Sequence, residues 1–302
     1  MEKIFVPTDF SKCAENAVRV AGVIARKAEA RVYLFHSLDA PIDWVKLSVD
    51  KEKKFPETKA RINHAQQRLK ELASSDLLEG VSVDWEIHYN ISLIEAIKGN
   101  LCSKSDLIVM GTHGTGTLTR MILGSNTQKV VRLSSCPVLT VNEHTKSFDL
   151  KKIVVASSFE DDDGMESSRN LVKSFGVTFG AEIRLLKVEG AIPSKEPYKA
   201  GAWEELSKDV NVQKASISID PFATIDEGII KYAAEAEADL IFVISHGRRG
   251  LARFIMGSVT ETIVNFSPIP VMVDHKYPLQ LDAEEATAAM VATTAKGMST
   301  TQ

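Results

Sequence analysis

The sequence predicts an α/β protein made of two tandem, doubly wound, Rossmann-like domains, each around a mostly parallel five-stranded sheet. Three observations predict it. The first is an internal repeat: positions 106–141 map onto positions 239–274 by adding 133, without a gap, and 15 of the 36 paired residues are identical. The second is the alternation of short, continuous apolar runs with segments of helical periodicity. The third is the length of 302 residues, which fits two domains of about 150 residues each. The expected division is 1–145, 150–276 and a tail from 277 to 302 that reads as a weak or frayed helix.

In the first half, Ile4 to Thr8 is an apolar run closed by Pro7-Thr8-Asp9. Behind it Ala14, Val18, Ala21, Ala25 and Ala28 recur at helical spacing after Ser11, a residue suited to capping. Val32 to Phe35 predicts a second buried strand, and Thr58 to Leu77 a long charged helix with Ala65, Leu69 and Leu72 on one face. Val81 to Ile87 alternates as a strand does, Ser92 to Leu101 predicts a helix, and Leu107 to Met110 a strand that enters a glycine loop. Asn126 to Leu133 suits a helix and Val138 to Val141 a last strand after Pro137.

The second half repeats this order. Its strands are expected at Ile153 to Val155, Ile183 to Leu186, Gln213 to Ile219, Leu240 to Ile244 and Pro270 to Val273. The connection between its second and third strands is short: Lys187 to Gln213 spans 26 positions where His36 to Val81 spans 45, so one helix is reduced. The polar stretch from Asn142 to Asp149 reads as a linker. The closing strands of the two halves would be open sheet edges, which need cover.

Composition narrows the function classes. With 44% hydrophobic and 25% charged residues, each half can bury an ordinary core. A net charge of -4 argues against nucleic acid or an anionic membrane as partner. An apolar strand begins at the first residues and no run approaches 18 apolar residues, so a cytoplasmic protein is expected. Cys13, Cys102 and Cys136 lack metal-ligand spacing and read as buried or idle thiols.

The chemistry-bearing feature is the repeated loop: Gly111-Thr112-His113-Gly114, nine residues, then Gly124-Ser125; and Ser245-His246-Gly247, nine residues, then Gly257-Ser258. In a doubly wound sheet such loops lie at the carboxyl edge, where helix amino-termini favour anions. Glycines permit close backbone approach, and Gly124-Ser125-Asn126-Thr127 opens a helix whose free N–H groups suit phosphate oxygens. No lysine follows the glycines as in a Walker loop, and the Rossmann glycine spacing is absent. On physics alone the loop is either a ligand cradle or a tight turn that closes the fold.

Gly111-x2-Gly114-x9-Gly124-Ser125, flanked by Val109-Met110 and Cys136-Pro137-Val138, resembles the nucleotide-binding motif of the universal stress protein family. Ile4-Phe5-Val6-Pro7-Thr8-Asp9-Phe10-Ser11 resembles that family's opening strand and adenosine-contacting turn, and the likeness runs from about Glu2 to His275. The resemblance implies an adenine-nucleotide α-hydrolase-like fold that takes ATP, ADP or AMP, with Mg2+ as a candidate companion. It implies that Pro7, Thr8 and Asp9 contact base and ribose, and that Ser37 offers its backbone to the adenine edge. Met110, Gly111 and Gly114 would line ribose and phosphates, and Gly124, Ser125, Asn126 and Thr127 would hold the phosphate tail. Asn126 departs from the small apolar residue frequent there. Asp9 also reads as a simple turn residue, His113 and His246 as loop hydrogen-bonders, and Arg120 and Arg253 as either phosphate contacts or exposed ion pairs.

The second half departs from the motif. Ala156-Ser157-Ser158 replaces Pro7-Thr8-Asp9, Ile244 stands where Gly111 does, and Glu160-Asp161-Asp162-Asp163 would oppose a polyphosphate at the same rim. A nucleotide site in the first half and a degenerate one in the second are therefore expected. No residue stands out as a hydrolytic base, so a nucleotide-binding signalling module is favoured, with slow ATP hydrolysis at most. A structural or chaperone-like interaction protein without nucleotide is the alternative. Pairing of the two closing strands would make an intramolecular pseudo-dimer, and a further homodimer follows the general preference for two-fold association.

Overall fold

The computed structural model describes residues 1–41, 43–99, 105–112, 125–143, 145, 147–157, 159, 165–189, 203, 205–218, 223–245 and 258–275. Gly114, Gly124, His113, His246, Arg120, Arg253, Cys102, Ser158, the acids 160–163 and the expected tail lie outside them. The strands are β1 (Lys3–Pro7), β2 (Arg31–Leu38), β3 (Val83–Tyr89), β4 (Leu107–Thr112), β5 (Val138–Asn142), β6 (Lys152–Ala156), β7 (Glu182–Glu189), β8 (Val212–Ser218), β9 (Leu240–Ser245) and β10 (Val271–His275). The helices are α1 (Lys12–Ala28), α2 (Val49–Glu52), α3 (Pro56–Ala73), α4 (Leu93–Lys98), α5 (Ser125–Leu133), α6 (Glu166–Phe179), α7 (Ile225–Glu235) and α8 (Ser258–Phe266).

Among the described residues, strand order is β3-β2-β1-β4-β5-β10-β9-β6-β7-β8, one sheet of ten strands. Every neighbouring pair is parallel except β5 with β10, which run antiparallel with Val271 opposite Thr140, Met272 opposite Leu139 and Val273 opposite Val138. The two closing edges thus cover each other, as the pseudo-dimer reading requires.

Local chemistry sets the element ends. Ser11 caps α1 by accepting from Ala14 N at 3.2 Å, and Ser92 and Glu95 form a reciprocal capping box on α4. Helix α4 stops at Lys98, before Gly99. Helix α3 begins earlier than expected because Pro56 suits a first turn, where no backbone donor is needed. It ends at Ala73, where the hydroxyls of Ser74 and Ser75 bond back to Lys70 O and Leu72 O, and a 3-10 turn, Asp76–Leu78, carries the chain on. In the shorter connection of the second half, the described residues include a 3-10 turn at Glu205–Lys208 and the buried Trp203.

Part of the repeat is structural. Asp106 Oδ2 accepts from Glu2 N and Lys3 N at 2.5 and 3.0 Å, and its counterpart Asp239 accepts from Lys151 N and Lys152 N at 2.8 and 2.9 Å. Ser134 and Ser267 each bridge the backbone two residues on, ahead of Pro137 and Pro270. These bonds fix where the paired strands begin.

One apolar cluster covers one face of the whole sheet, running from α3 and α1 through Leu139, Val141 and Met272 to α6. Helices α4, α5, α7 and α8 pack on the other face. The stretch read as a polar linker is a packed joint. Phe148 and Leu150 are buried, and the Phe148 ring meets Phe179 edge-on at 6.0 Å. Asn142 Nδ2 donates to Pro268 O at 2.9 Å, and His275 Nε2 donates to Val131 O at 2.6 Å, so each closing strand ends by gripping the opposite half.

Candidate functional site

The first half reverses strand order between β1 and β4, each of which continues outward to a different neighbour. Helix α1 leaves on one sheet face and α5 lies on the other, so a crevice opens between their amino-termini at the carboxyl edge. The residues expected at base, ribose and phosphate lie along this edge: Pro7, Thr8 and Asp9 after β1, Ser37 near the end of β2, Met110 and Gly111 near the end of β4, and Ser125, Asn126 and Thr127 in the first turn of α5.

The turn after β1 is built by its own side chains. Thr8 N donates to Phe35 O at 2.9 Å, Phe10 N to Thr8 Oγ1 at 3.1 Å and Ser11 N to Asp9 Oδ1 at 3.0 Å. Asp9 therefore serves the turn and stands exposed at the rim at the same time. Phe10 takes the left-handed conformation, with φ of 64°. His36 Nδ1 donates to Thr8 O at 2.8 Å, and its ring lies 4.5 Å from that of Phe10. Sequence reasoning passes over His36 and Phe10, although the recurrence of Phe10 as Phe159 in the second copy carries a signal. The Ser37 hydroxyl is committed to Ile91 O at 2.6 Å. Thr127 is buried and Asn126 exposed.

Gly111 has a packing role beside the ligand contact that the resemblance implies. A Cβ at this position would lie 2.3 Å from the carbonyl carbon and oxygen of Cys13 and 2.8 Å from Ala14 N. The missing side chain admits the first turn of α1, so the glycine shapes the crevice by letting the helix close on β4. In the second half nine residues, 157–165, separate β6 from α6, against four, 8–11, between β1 and α1. Ile244 can then occupy the equivalent place, and it is buried in the apolar cluster. Its β-branched side chain belongs to the core.

Cys13 is buried. Burial raises its pKa first, and the charges of Glu143 and Asp9 add to the effect, so the nucleophilic thiolate is suppressed.

The other departure of the second half is Asp274, which stands where the first half has Val141. Its carboxylate is buried, accepting from Ser168 Oγ at 2.6 Å and from His275 N at 3.0 Å. Burial raises its pKa above the ordinary 3.8, outweighing the hydrogen bonds and His275, which lower it. The folded state therefore holds this proton more tightly than the unfolded chain does. The resulting stabilisation is complete below pH 3.8 and is lost as pH rises through the raised folded value. An Asp274→Asn chain is expected to melt higher than wild type at pH 7, by about 2–4 °C for each kcal/mol released. The gap should close toward acid pH; thermal unfolding across pH checks this, and an unchanged gap at all pH would refute it.

Among the described residues no helix is long and apolar enough to cross a membrane, and no cluster of three or more His, Cys, Asp or Glu side chains could hold a metal.

Comparison with known proteins agrees with this architecture. The profile of the universal stress protein family matches twice, at residues 1–142 and 151–275. A universal stress protein of Mycobacterium tuberculosis is 24% identical over 196 residues, 57% of this chain, and the match spans 63% of that protein's length. One from Synechocystis sp. is 23% identical over 301 residues, covering 90% of this chain and 99% of its own. The crystal structure of a universal stress protein from Archaeoglobus fulgidus superimposes with a TM-score of 0.65 at 20% identity, covering 91% of this chain and 98% of that one. With two matches to one profile, two copies of one strand order and a repeated glycine loop, this chain belongs to the universal stress protein family as a tandem, two-domain member.

Proposed function

We propose that the first half binds ATP or a related adenine nucleotide and that the chain acts as a cytoplasmic stress-response module whose surface changes with occupancy. The observation that carries this reading is the crevice at the β1/β4 reversal, with the Thr8–Ser11 turn on one side and the amino-terminus of α5 on the other. Helix amino-termini attract phosphate through unpaired N–H groups and the helix dipole. A rim carboxylate such as Asp9 accepts from ribose hydroxyls. The second half lacks that carboxylate, and the reading gives it no equivalent nucleotide.

Asp9→Asn separates the two roles of Asp9, since the amide oxygen can still accept from Ser11 N while the charge is gone. A charged hydrogen bond contributes about 1.5–3 kcal/mol, so ATP affinity should fall on the order of tenfold or more, with thermal stability nearly unchanged. Calorimetric titration of the full chain checks this. Mass spectrometry of small molecules released from denatured protein supplies the independent test: a protein that releases no adenine nucleotide and also fails to bind added ATP would sink the reading.

A further inference from the structure

Three unlike side chains converge on one point of the sheet face opposite α1. The Tyr33 hydroxyl donates to Glu86 Oε2 at 2.8 Å and lies 3.0 Å from His88 Nε2, and that nitrogen stands 3.3 Å from the same carboxylate oxygen. Each atom is within reach of the other two. Strands β2 and β3 place them: Glu86 pairs with Phe35 and His88 with Ser37, so both side chains share the face of Tyr33 and Phe35. The His88 ring is fixed by stacking on Phe35 at 4.9 Å, and its side chain is 9% exposed. Glu86 is 59% exposed and leaves the cluster open to solvent.

The second copy forms the same sheet without this cluster. Leu186 corresponds to Phe35, since Ser157 N donates to Leu186 O as Thr8 N does to Phe35 O. In register, Ala215 then stands for Glu86, Ile217 for His88 and Arg184 for Tyr33. Ala215 and Ile217 pack on the apolar cluster of that face. The fold accepts apolar residues at these places, so the imidazole and the carboxylate of the first half are not what closes the sheet.

We propose that Tyr33, Glu86 and His88 form a binding site for a divalent transition-metal ion of the zinc type, with water in the fourth position. Imidazole nitrogen and carboxylate oxygen are ligands that such ions favour. At zinc bond lengths of about 2.0–2.2 Å, neighbouring ligands of a tetrahedron stand about 3.3–3.6 Å apart, so shifts of roughly half an ångström complete a three-ligand face. Burial, and then the Glu86 carboxylate, push the Tyr33 pKa above its ordinary value, so the phenol is protonated before the ion arrives. On coordination its O–H bond breaks, the oxygen binds the metal and the proton passes to solvent. One carboxylate and one phenolate then balance the two positive charges of the ion. Lys3 Nζ, 4.3 Å from the centre of the Tyr33 ring, favours the phenolate, and Arg31 is paired with Asp84 at 3.6 Å. The inference does not depend on nucleotide binding.

Titration of the chelator-treated, full-length protein with zinc chloride, followed by calorimetry and ultraviolet absorption, tests this. A single zinc ion should bind here, raising Tm and producing the red-shifted absorption of tyrosinate at neutral pH. Glu86→Gln and His88→Gln should each weaken that binding at least tenfold, and Tyr33→Phe should abolish the absorption change. Magnesium chloride should not compete, since that ion keeps its waters and prefers an oxygen octahedron. If a single variant does not fold, Glu86→Ala combined with His88→Ile takes the residues of the second copy and gives the same comparison. No zinc binding, equal zinc affinity in the variants and the natural chain, or binding without the tyrosinate signal would overturn the proposal.

Discussion

A Gly111→Val chain is expected to lose its fold rather than only a ligand. The Cβ alone would stand 2.3 Å from the Cys13 carbonyl, and the obstacle is the backbone of α1, which no rotamer change relieves. Overpacked side chains that can shift cost about 1–3 kcal/mol. Here a whole helix start must move, and with it Thr8–Ser11 and the cap at Ala14, so a loss of at least ~3 kcal/mol is expected. Circular dichroism and thermal melting should show a much lower Tm or no cooperative transition. A Gly111→Val protein that melts like wild type would mean that α1 does not rest on β4 as described. One consequence is practical: nucleotide binding is better probed at Asp9, where the fold is not at stake.

Met272→Glu is the second change with a large expected effect. Met272 pairs with Leu139 across the antiparallel joint, and both are fully buried. A carboxylate there has no Lys or Arg on either closing strand, and an uncompensated buried charge costs about 3–5 kcal/mol. The joint should open before either half melts, turning one thermal transition into two and lengthening the particle in small-angle X-ray scattering. A single transition at the wild-type Tm would count against the joint as a cooperative part of the fold. The same geometry argues against testing nucleotide binding on separately expressed halves, because each would expose an apolar edge strand and lose the grip of Asn142 or His275.

The repeat, the strands and the two-domain plan were legible because each depends on residues close in sequence. Apolar runs, Ser11 and Ser92 as caps, and Pro137 and Pro270 before strands speak locally. The joint was half legible. Unpaired edges called for cover, but nothing in the polar run from Asn142 to Asp149 announced that Phe148 would find Phe179 or that Asn142 would reach Pro268. The glycine loop was only partly legible. Its composition suggested space for a ligand, and at Gly111 the space belongs to a helix 98 residues earlier in the chain, at Cys13. His36 was silent for the same reason, since its partner is a backbone carbonyl 28 residues away.

The antiparallel pairing of β5 with β10 has an evolutionary side. In a dimer of identical chains, every substitution appears twice, and a change that suits one copy must be tolerated by the other. Here the two copies are one molecule, held together at any dilution by the connecting chain. Ile244 and Asp274 could therefore arise in one half while Gly111 and Val141 persisted in the other. Covalent linkage freed the assembly from symmetry, and the unlike residues at these paired positions are what that freedom allows.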